Sequence, residues 1–159
     1  ASGLGLPVLA HDVLDAAVAG ESTPQIVAPV PWLVGALKAT GAQIEPRIQV
    51  GLLRLMGQVP GSPPNVGGFP GASTWLASSA TAARFSAANV VARATPDDAE
   101  ALILAADGDW DGLADLFLRP QGFSAATLAA LRDLPTNVSI RRGEGALALS
   151  LASPDLLVA

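Results

Sequence analysis

The chain has 159 residues, half of them hydrophobic and 14% charged, and its mean hydropathy is +0.44. This length corresponds to about one domain, and no apolar run reaches the roughly 18 residues that a transmembrane helix needs. The net charge is −5 with the basic residues scattered, which argues against nucleic acid as a partner, and the absence of cysteine excludes disulfides and thiolate metal sites.

Alanine and leucine recur at three- and four-residue steps, and alternating β-branched runs are nearly absent. We therefore expect an all-α fold, an irregular bundle of about seven helices with one long, ordered Pro/Gly-rich loop. The first predicted helix covers Val8 to Ala19. Two more begin at prolines, from Pro31 to Gly41 and from Pro46 to Gly57, because proline suits the first helical position and glycine the position just past the end.

The second half of the chain predicts further helices with equally clear start and stop signals. A long helix is expected from Ser73 to Arg93, and Thr95 is expected to cap the next one, since Pro96 and two aspartates follow it. The segment Thr136 to Ile140 reads as a short strand or an extended linker. The other predicted helices run from Thr95 to Ala106, Trp110 to Leu118, Ser124 to Leu134 and Gly145 to Ala152.

The loop GQVPGSPPNVGGFPG, Gly57 to Gly71, interrupts the helical pattern. Pro63 and Pro64 restrict the backbone, Gly67 and Gly68 permit positive φ, and Asn65 can stabilise a turn. Such a loop is expected to be ordered, and long ordered loops in compact domains are often functional.

The run MGQVPGSPPNVGGFPGASTWLASSATAARFSAAN resembles the signature of the bacterial DUF1800 family, proteins of unknown function. The upstream segment APVPWLVGALKATGA is similar to the family's K-S-P-V-E-L-V-V-G-x-L-R-A-L-G, and the tail LSLASPDLL to its L-x-L-A-S-P-E-F. The matching signature residues are Gly57-Gln58, Pro63-Pro64-Asn65-Val66, Gly68-Phe69-Pro70-Gly71, Trp75 and Arg84. The family's lysine and glutamate of the upstream motif are absent here, since Pro31-Trp32 replaces the glutamate, and Phe69 stands for the usual tryptophan.

The resemblance implies a location and partners more than an activity. Family members are much longer and many look exported, so we expect residues 1–159 to form a single helical domain, the C-terminal part of a longer exported or periplasmic bacterial protein. The partner is then the N-terminal part of the same protein or another exported protein. No established activity comes with the family.

Four signature residues, Gln58, Asn65, Trp75 and Arg84, are candidate ligand-binding residues. In a functional interpretation Arg84 grips a carboxylate or sulfate, Trp75 stacks on a sugar and Asn65 orients either. In a structural interpretation Arg84 satisfies carbonyl groups of the loop, Trp75 packs beneath it and Asn65 holds a turn. Trp75 and Arg84 are nine residues apart and so lie on different sides of a straight helix, which favours the structural interpretation.

The acidic run Asp107, Asp109, Asp111 with Gly112 matches the first half of a calcium-binding loop, D-x-D-x-D-G. The twelfth position, which should be glutamate, is Leu118. The alternative is a turn in which Asp109 or Asp111 caps the next helix. Calcium is the one metal or cofactor that the sequence suggests, and the single histidine, His11, lacks any zinc-binding frame.

Two functions remain open from the sequence. One is a binding or scaffold module of an exported protein. The other is part of a hydrolase-type enzyme whose active site is completed by a missing N-terminal region. No catalytic residues are assigned, because no complete set of acid, base and nucleophile is present, and this favours the binding module while leaving the question of an enzyme open.

Overall fold

Helices account for nearly all regular structure in the part of the chain that the structure, a computed structural model, describes: residues 26–64, 66–69, 75, 78–134 and 142–157. The all-α prediction is confirmed, since these residues form no β-strand beyond isolated bridge positions. The helices are α1 (Pro29–Thr40), α2 (Pro46–Leu55), α3 (Ser78–Ala94), α4 (Glu100–Asp107), α5 (Trp110–Leu116), α6 (Ala125–Arg132) and α7 (Arg142–Ala152), followed by a short 3-10 helix, Pro154–Leu156.

Helix α7 lies at the centre of the hydrophobic core. It packs most extensively against α3 and α4, and it also contacts α6 and the 3-10 helix. Its residues Ala146, Leu147 and Leu151 are no more than 1% exposed. The facing side of α3 is built mainly of alanine, so the two helix axes can approach closely without leaving voids.

The closest approach between α7 and α4 occurs at Gly143. A β-carbon placed on Gly143 would lie 2.9 Å from the backbone oxygen of Leu102 and 3.2 Å from the β-carbon of Ala106. Glycine is therefore required here for space, because any larger residue would push the two helices apart. Sequence patterning predicts the start of this helix at Gly145, but the structure begins it at Arg142 and buries Gly143 inside the interface.

Helix α1 covers α3 and α4 and begins at Pro29, two residues before the predicted start. The segment PVPW suits either start, because a proline in the first turn removes an N–H that has no intrahelical acceptor. Trp32, Leu33 and Ala36 form its buried face. Helix α2 begins at Pro46 as predicted, ends at Leu55, and contacts both α1 and α3.

The prediction that Thr95 caps α4 is wrong. Its hydroxyl donates to the Val91 carbonyl at 2.9 Å, four residues back, and the side chain is 3% exposed, so Thr95 belongs to the end of α3. Threonine hydroxyls make this backward bond as readily as they cap a helix. Helix α4 begins at Glu100, after Ala99, which has no side-chain capping bond.

Some predictions fall on residues that the structure does not describe. The helix from Val8 to Ala19, the segment from Thr136 to Ile140 and most of the residues from Pro70 to Ala77 lie outside the described residues. The assignment of residues 1–159 to one domain of a longer protein stays a prediction. Among the described helices, none combines the length and the apolar character needed to cross a membrane.

Replacement of Gly143 by alanine should destabilise the fold by about 1–3 kcal/mol, the usual cost of an overpacked interface. The measurement is the free energy of unfolding in urea. Gly145→Ala is the matched control, because Gly145 lies in the same helix, is exposed, and has open space around an added β-carbon. The control should stabilise by about 0.5–1 kcal/mol. Equal effects of the two alanines would contradict the close contact of α7 with α4.

Candidate functional site

The end of α2 positions Gln58 against the start of α1. Gly57, with φ of 82°, closes α2 in a Schellman motif in which Gly57 N–H donates to the Arg54 carbonyl and Gln58 N–H to the Leu53 carbonyl. The Gln58 Oε1 atom then accepts from Val30 N–H at 2.9 Å. A residue distant in sequence thus supplies a cap to the first turn of α1.

This cap completes the hydrogen bonding at the start of α1. Its first and third positions, Pro29 and Pro31, have no N–H, and Trp32 N–H donates to the Ala28 carbonyl at 3.1 Å. Val30 therefore carries the one early N–H that needs an acceptor from elsewhere, and α1 has no side-chain cap of its own.

Arg84 lies on the buried face of α3, in register with Ala80, Ala87 and Ala88, and is only 2% exposed. Its Nη2 donates to the carbonyl of Val27, and its Cζ lies 5.8 Å from the centroid of the Trp32 ring. The distance to Trp32 falls within the range of cation–π contacts. Arg84 does satisfy a carbonyl group, but the carbonyl precedes α1 and does not belong to the Pro/Gly-rich loop.

The rest of the Arg84 guanidinium has no partner in the described structure. Nε and Nη1 are buried without a hydrogen bond, and no described carboxylate forms an ion pair with the side chain. Burial lowers the pKa of Arg84, yet a guanidinium stays protonated in proteins. The structure therefore holds a nearly enclosed positive charge directly behind Val27 and Trp32.

The C-terminal tail holds the same segment from a third direction. Val27 N–H donates to the Leu157 carbonyl at 2.8 Å, and Trp32 Nε1 donates to the Leu151 carbonyl at 3.1 Å. The buried indole is thus both hydrogen-bonded and packed, which fixes its orientation. The three segments that resemble the family signature meet around the start of α1.

Asp155 fastens the tail to α6. Its Oδ2 accepts from both the N–H and the hydroxyl of Ser124, each at 3.0 Å, at the position that caps α6. Partial burial raises the pKa of Asp155, but the hydrogen bonds from Thr127 and Ser124 and the positive charge of Arg119 outweigh it and leave the pKa below its ordinary value.

These contacts shape a cleft of about 920 Å³ between α1 and the connection from α5 to α6. Most of its wall is apolar, including Trp32, Phe117 and Leu118, and Val27 also lines it. Charged side chains of both signs also line it: Lys38 and Glu100, which are exposed at its edge, and Arg119 and Asp155, which are partly buried. A mainly apolar concavity with a few polar groups is the usual form of a ligand site.

Leu118 is the unusual residue of the cleft wall. Its φ is 58°, the one positive φ of a residue other than glycine in the described chain, and its side chain is 87% exposed. It closes α5 in a Schellman motif, with Leu118 N–H donating to the Asp115 carbonyl and Arg119 N–H to the Ala114 carbonyl. Gly57 occupies the equivalent position after α2, as glycine usually does.

Gly35 lines the same cleft from the middle of α1. It is exposed, and a β-carbon at this position would meet nothing within 4 Å. No internal packing therefore requires glycine here, and its effect is to leave the backbone of α1 open to whatever enters the cleft.

The structure brings together two of the four predicted ligand-binding residues. Gln58 and Arg84 both bond to the start of α1, though neither lines the cleft. Trp75 is partly buried and its Nε1 has no hydrogen-bond partner, while Asn65 lies outside the described residues. A ligand-binding role for these residues stays a prediction.

The acidic run offers calcium no cluster of ligands. Asp109 caps α5, its Oδ1 accepting from Gly112 N–H at 3.0 Å. Asp107 ends α4 and Asp111 lies in the first turn of α5. No group of three or more acidic or histidine side chains within the described ranges is arranged to hold a metal ion. The capping alternative accounts for Asp109, and calcium binding stays a prediction.

Sequence reasoning passed over Gly35, Trp32 and Leu118 as site residues. Two signals were present. Gly35 interrupts an otherwise helical run, and the end of α5 before Pro120 has no glycine where a helix of this kind commonly has one. Neither signal says which way a side chain faces, so the cleft itself required the tertiary structure.

The chain belongs to the DUF1800 family, described as a protein of unknown function, whose family model matches residues 5–158. Searches of curated proteins and of solved structures gave no significant match.

Replacement of Gln58 by leucine should lower the free energy of unfolding by about 1–2 kcal/mol, because Val30 N–H loses its acceptor. Gln58→Glu should stay close to the original stability, since it keeps an acceptor and adds negative charge near the positive end of α1. Urea denaturation measures both. Equal losses in the two variants would show that the amide oxygen does not act as a cap.

The lowered pKa of Asp155 predicts that the protein loses part of its stability in acid. The pKa of Asp155 is lower in the folded protein than in the unfolded chain. The ionised carboxylate therefore contributes its full stabilisation at pH values above the unfolded-state pKa, and this stabilisation is lost as the pH falls through the folded-state pKa. Asp155→Asn should remove that part of the dependence. Thermal unfolding of both proteins from acidic to neutral pH should give midpoint temperatures that differ most near neutrality and converge in acid. A constant difference at every pH would contradict a stabilising role of the ionised Asp155 side chain.

Proposed function

We propose that this domain is a binding or scaffold module whose cleft takes an apolar segment of another polypeptide. The observation that carries the proposal is that two residues lining the cleft, Gly35 and Leu118, are less favourable for folding than another residue would be at the same position. Proteins commonly violate a folding preference where function needs it.

Each of the two residues has a better alternative for stability. Glycine in the middle of a helix costs roughly 1 kcal/mol relative to alanine, and Gly35 has room for the extra methyl group. A left-handed conformation costs about 1–2 kcal/mol for a residue such as Leu118, which glycine avoids. An exposed leucine held in this conformation gains nothing from packing, so a role in contacting a partner explains both features.

The chemistry of the cleft edge supports a polypeptide as the occupant. Lys38 and Glu100 place both charge signs beside an aromatic and aliphatic wall. This resembles the core and rim of protein interfaces, where aromatic residues lie inside and polar groups surround them. A wholly apolar ligand would leave both charges without a counterpart, whereas a peptide presents both donors and acceptors.

The partner we infer is the N-terminal part of the same protein or another exported protein. Bacterial origin and export rest on the family resemblance and belong to this proposal. No contact among the described residues favours the alternative, a hydrolase-type enzyme completed by a missing N-terminal region.

An array of pentapeptides made of Ala, Val, Leu and Phe, labelled at the amino end, would test the proposal by fluorescence anisotropy. Leu118→Gly should weaken binding about tenfold, because one apolar contact is lost, and Gly35→Ala should weaken it by filling the cleft. Both variants should nevertheless unfold at higher urea concentrations than the original protein.

Gly51→Ala is the matched control. Gly51 lies within α2, has open space around an added β-carbon and does not line the cleft, so this variant should be more stable with unchanged binding. Failure of every peptide to bind would refute the proposed function. If binding is unchanged in both Gly35→Ala and Leu118→Gly, the peptide binds to a surface other than this cleft.

A further inference from the structure

We propose that the cleft selects a segment ending in a free carboxylate, and that the buried Arg84 supplies this selectivity from behind the wall formed by Val27 and Trp32. The inference rests on the proposed function and commits to one of its two partners, a separate polypeptide, because an N-terminal part of the same protein is joined to this chain and has no free carboxyl end.

The first step is the unbalanced charge. Arg84 is 2% exposed, makes one hydrogen bond, to the Val27 carbonyl, and leaves Nε and Nη1 buried without partners. A buried charge without a counter-charge destabilises the fold, and a hydrophobic side chain of similar size would often be at least as stable. Within the described residues, the needs of folding alone do not explain a cation at this position.

The second step is the position of the charge relative to the cleft. Val27 and Trp32, the two residues that Arg84 contacts, are also cleft-lining residues. The guanidinium therefore stands one residue behind the surface that a bound segment touches. Because the intervening region is protein and not water, its field is screened far less than that of an exposed charge.

The third step is the shape of the opening. Arg84 does not itself line the cleft, so a segment running past the wall brings no charge toward it. The end of a chain can point a carboxylate at the wall. Lys38, exposed at the cleft edge, can meet the same group directly.

The fourth step is the charge of the whole molecule. The chain carries a net charge of −5, which repels anions in general. An affinity for a carboxylate must then come from a local arrangement. The charges that line the cleft balance one another, Lys38 and Arg119 against Glu100 and Asp155, so they supply no net attraction. The two carboxylates suit the N–H groups of the backbone that precedes the bound end.

The test uses the same pentapeptide array with each peptide made in two forms, one with a free carboxyl end and one with an amide. The free acids should bind about tenfold more tightly, as expected for a charged interaction. Part of this preference should persist at about 1 M salt, where an exposed contact is screened within about 3 Å. That remaining part comes from cations shielded from solvent, Arg84 and the partly buried Arg119 of the cleft wall, which the variants below distinguish. The part that salt removes comes from the exposed Lys38.

Two variants separate the charge of Arg84 from its hydrogen bond. Arg84→Lys keeps a positive charge, and Arg84→Gln keeps a donor for the Val27 carbonyl but is neutral. Measured below neutral pH, so that a buried lysine keeps its proton, the preference for free acids should survive in Arg84→Lys and disappear in Arg84→Gln. Circular dichroism checks that both variants fold. Should either fail to fold, Lys38→Met and Arg119→Met, changes in the cleft wall, should both leave the salt-resistant part of the preference intact.

Each outcome decides a separate point. Equal binding of acids and amides by the original protein would overturn this inference while leaving the peptide-binding function in place. A preference that vanishes entirely at high salt would assign it to Lys38, and one that survives in Arg84→Gln or is lost in Arg119→Met would assign it to Arg119; each of these results would overturn the role of Arg84. If amidated peptides with a final glutamate bind as tightly as the free acids, the cleft does not require its carboxylate to be the end of the main chain, and that part of the inference is overturned. Absence of any binding would refute the proposed function itself.

Discussion

The packing of α7 against α3 and α4 is the constraint on which the cleft depends. Small residues on α3 and the absence of a side chain at Gly143 allow these helices to approach closely. Once α7 is enclosed, the Leu151 carbonyl lies where it can accept from the Trp32 indole, and the chain leaves toward the tail that binds Val27. The cleft wall is therefore a consequence of core packing.

Arg84 connects this core to the candidate site. It occupies a core position of α3 between alanines, yet it carries a charge that core packing does not require. Its bond to Val27 and its contact with the Trp32 ring offset part of the cost of burial. The same contacts place the charge behind the cleft, so a structural and a binding role can coexist in one side chain.

Two positions in the cleft show a tension between stability and the proposed function. At the end of α2 the left-handed position is filled by Gly57, and after α4 by Gly108, whereas after α5 it is filled by Leu118. In α1 the chain keeps Gly35 where alanine would fit. The substitutions Gly35→Ala and Leu118→Gly would make the domain more stable, and we infer that they would also weaken its binding surface.

The helical class, the approximate extent of most helices and the residues of the family signature could all be predicted from the sequence. Those features depend on local spacing, proline and glycine, which act within a few residues. The sequence did not determine that Gln58 caps a helix 28 residues earlier, that Thr95 bonds backward or that Arg84 reaches the Val27 carbonyl. The first and the last join elements far apart in the chain. These two contacts form when α1, α2 and α3 pack together, so they depend on the three-dimensional arrangement of the helices. For Thr95 the reason is different, because a hydroxyl near a helix end can bond to the backbone in more than one way.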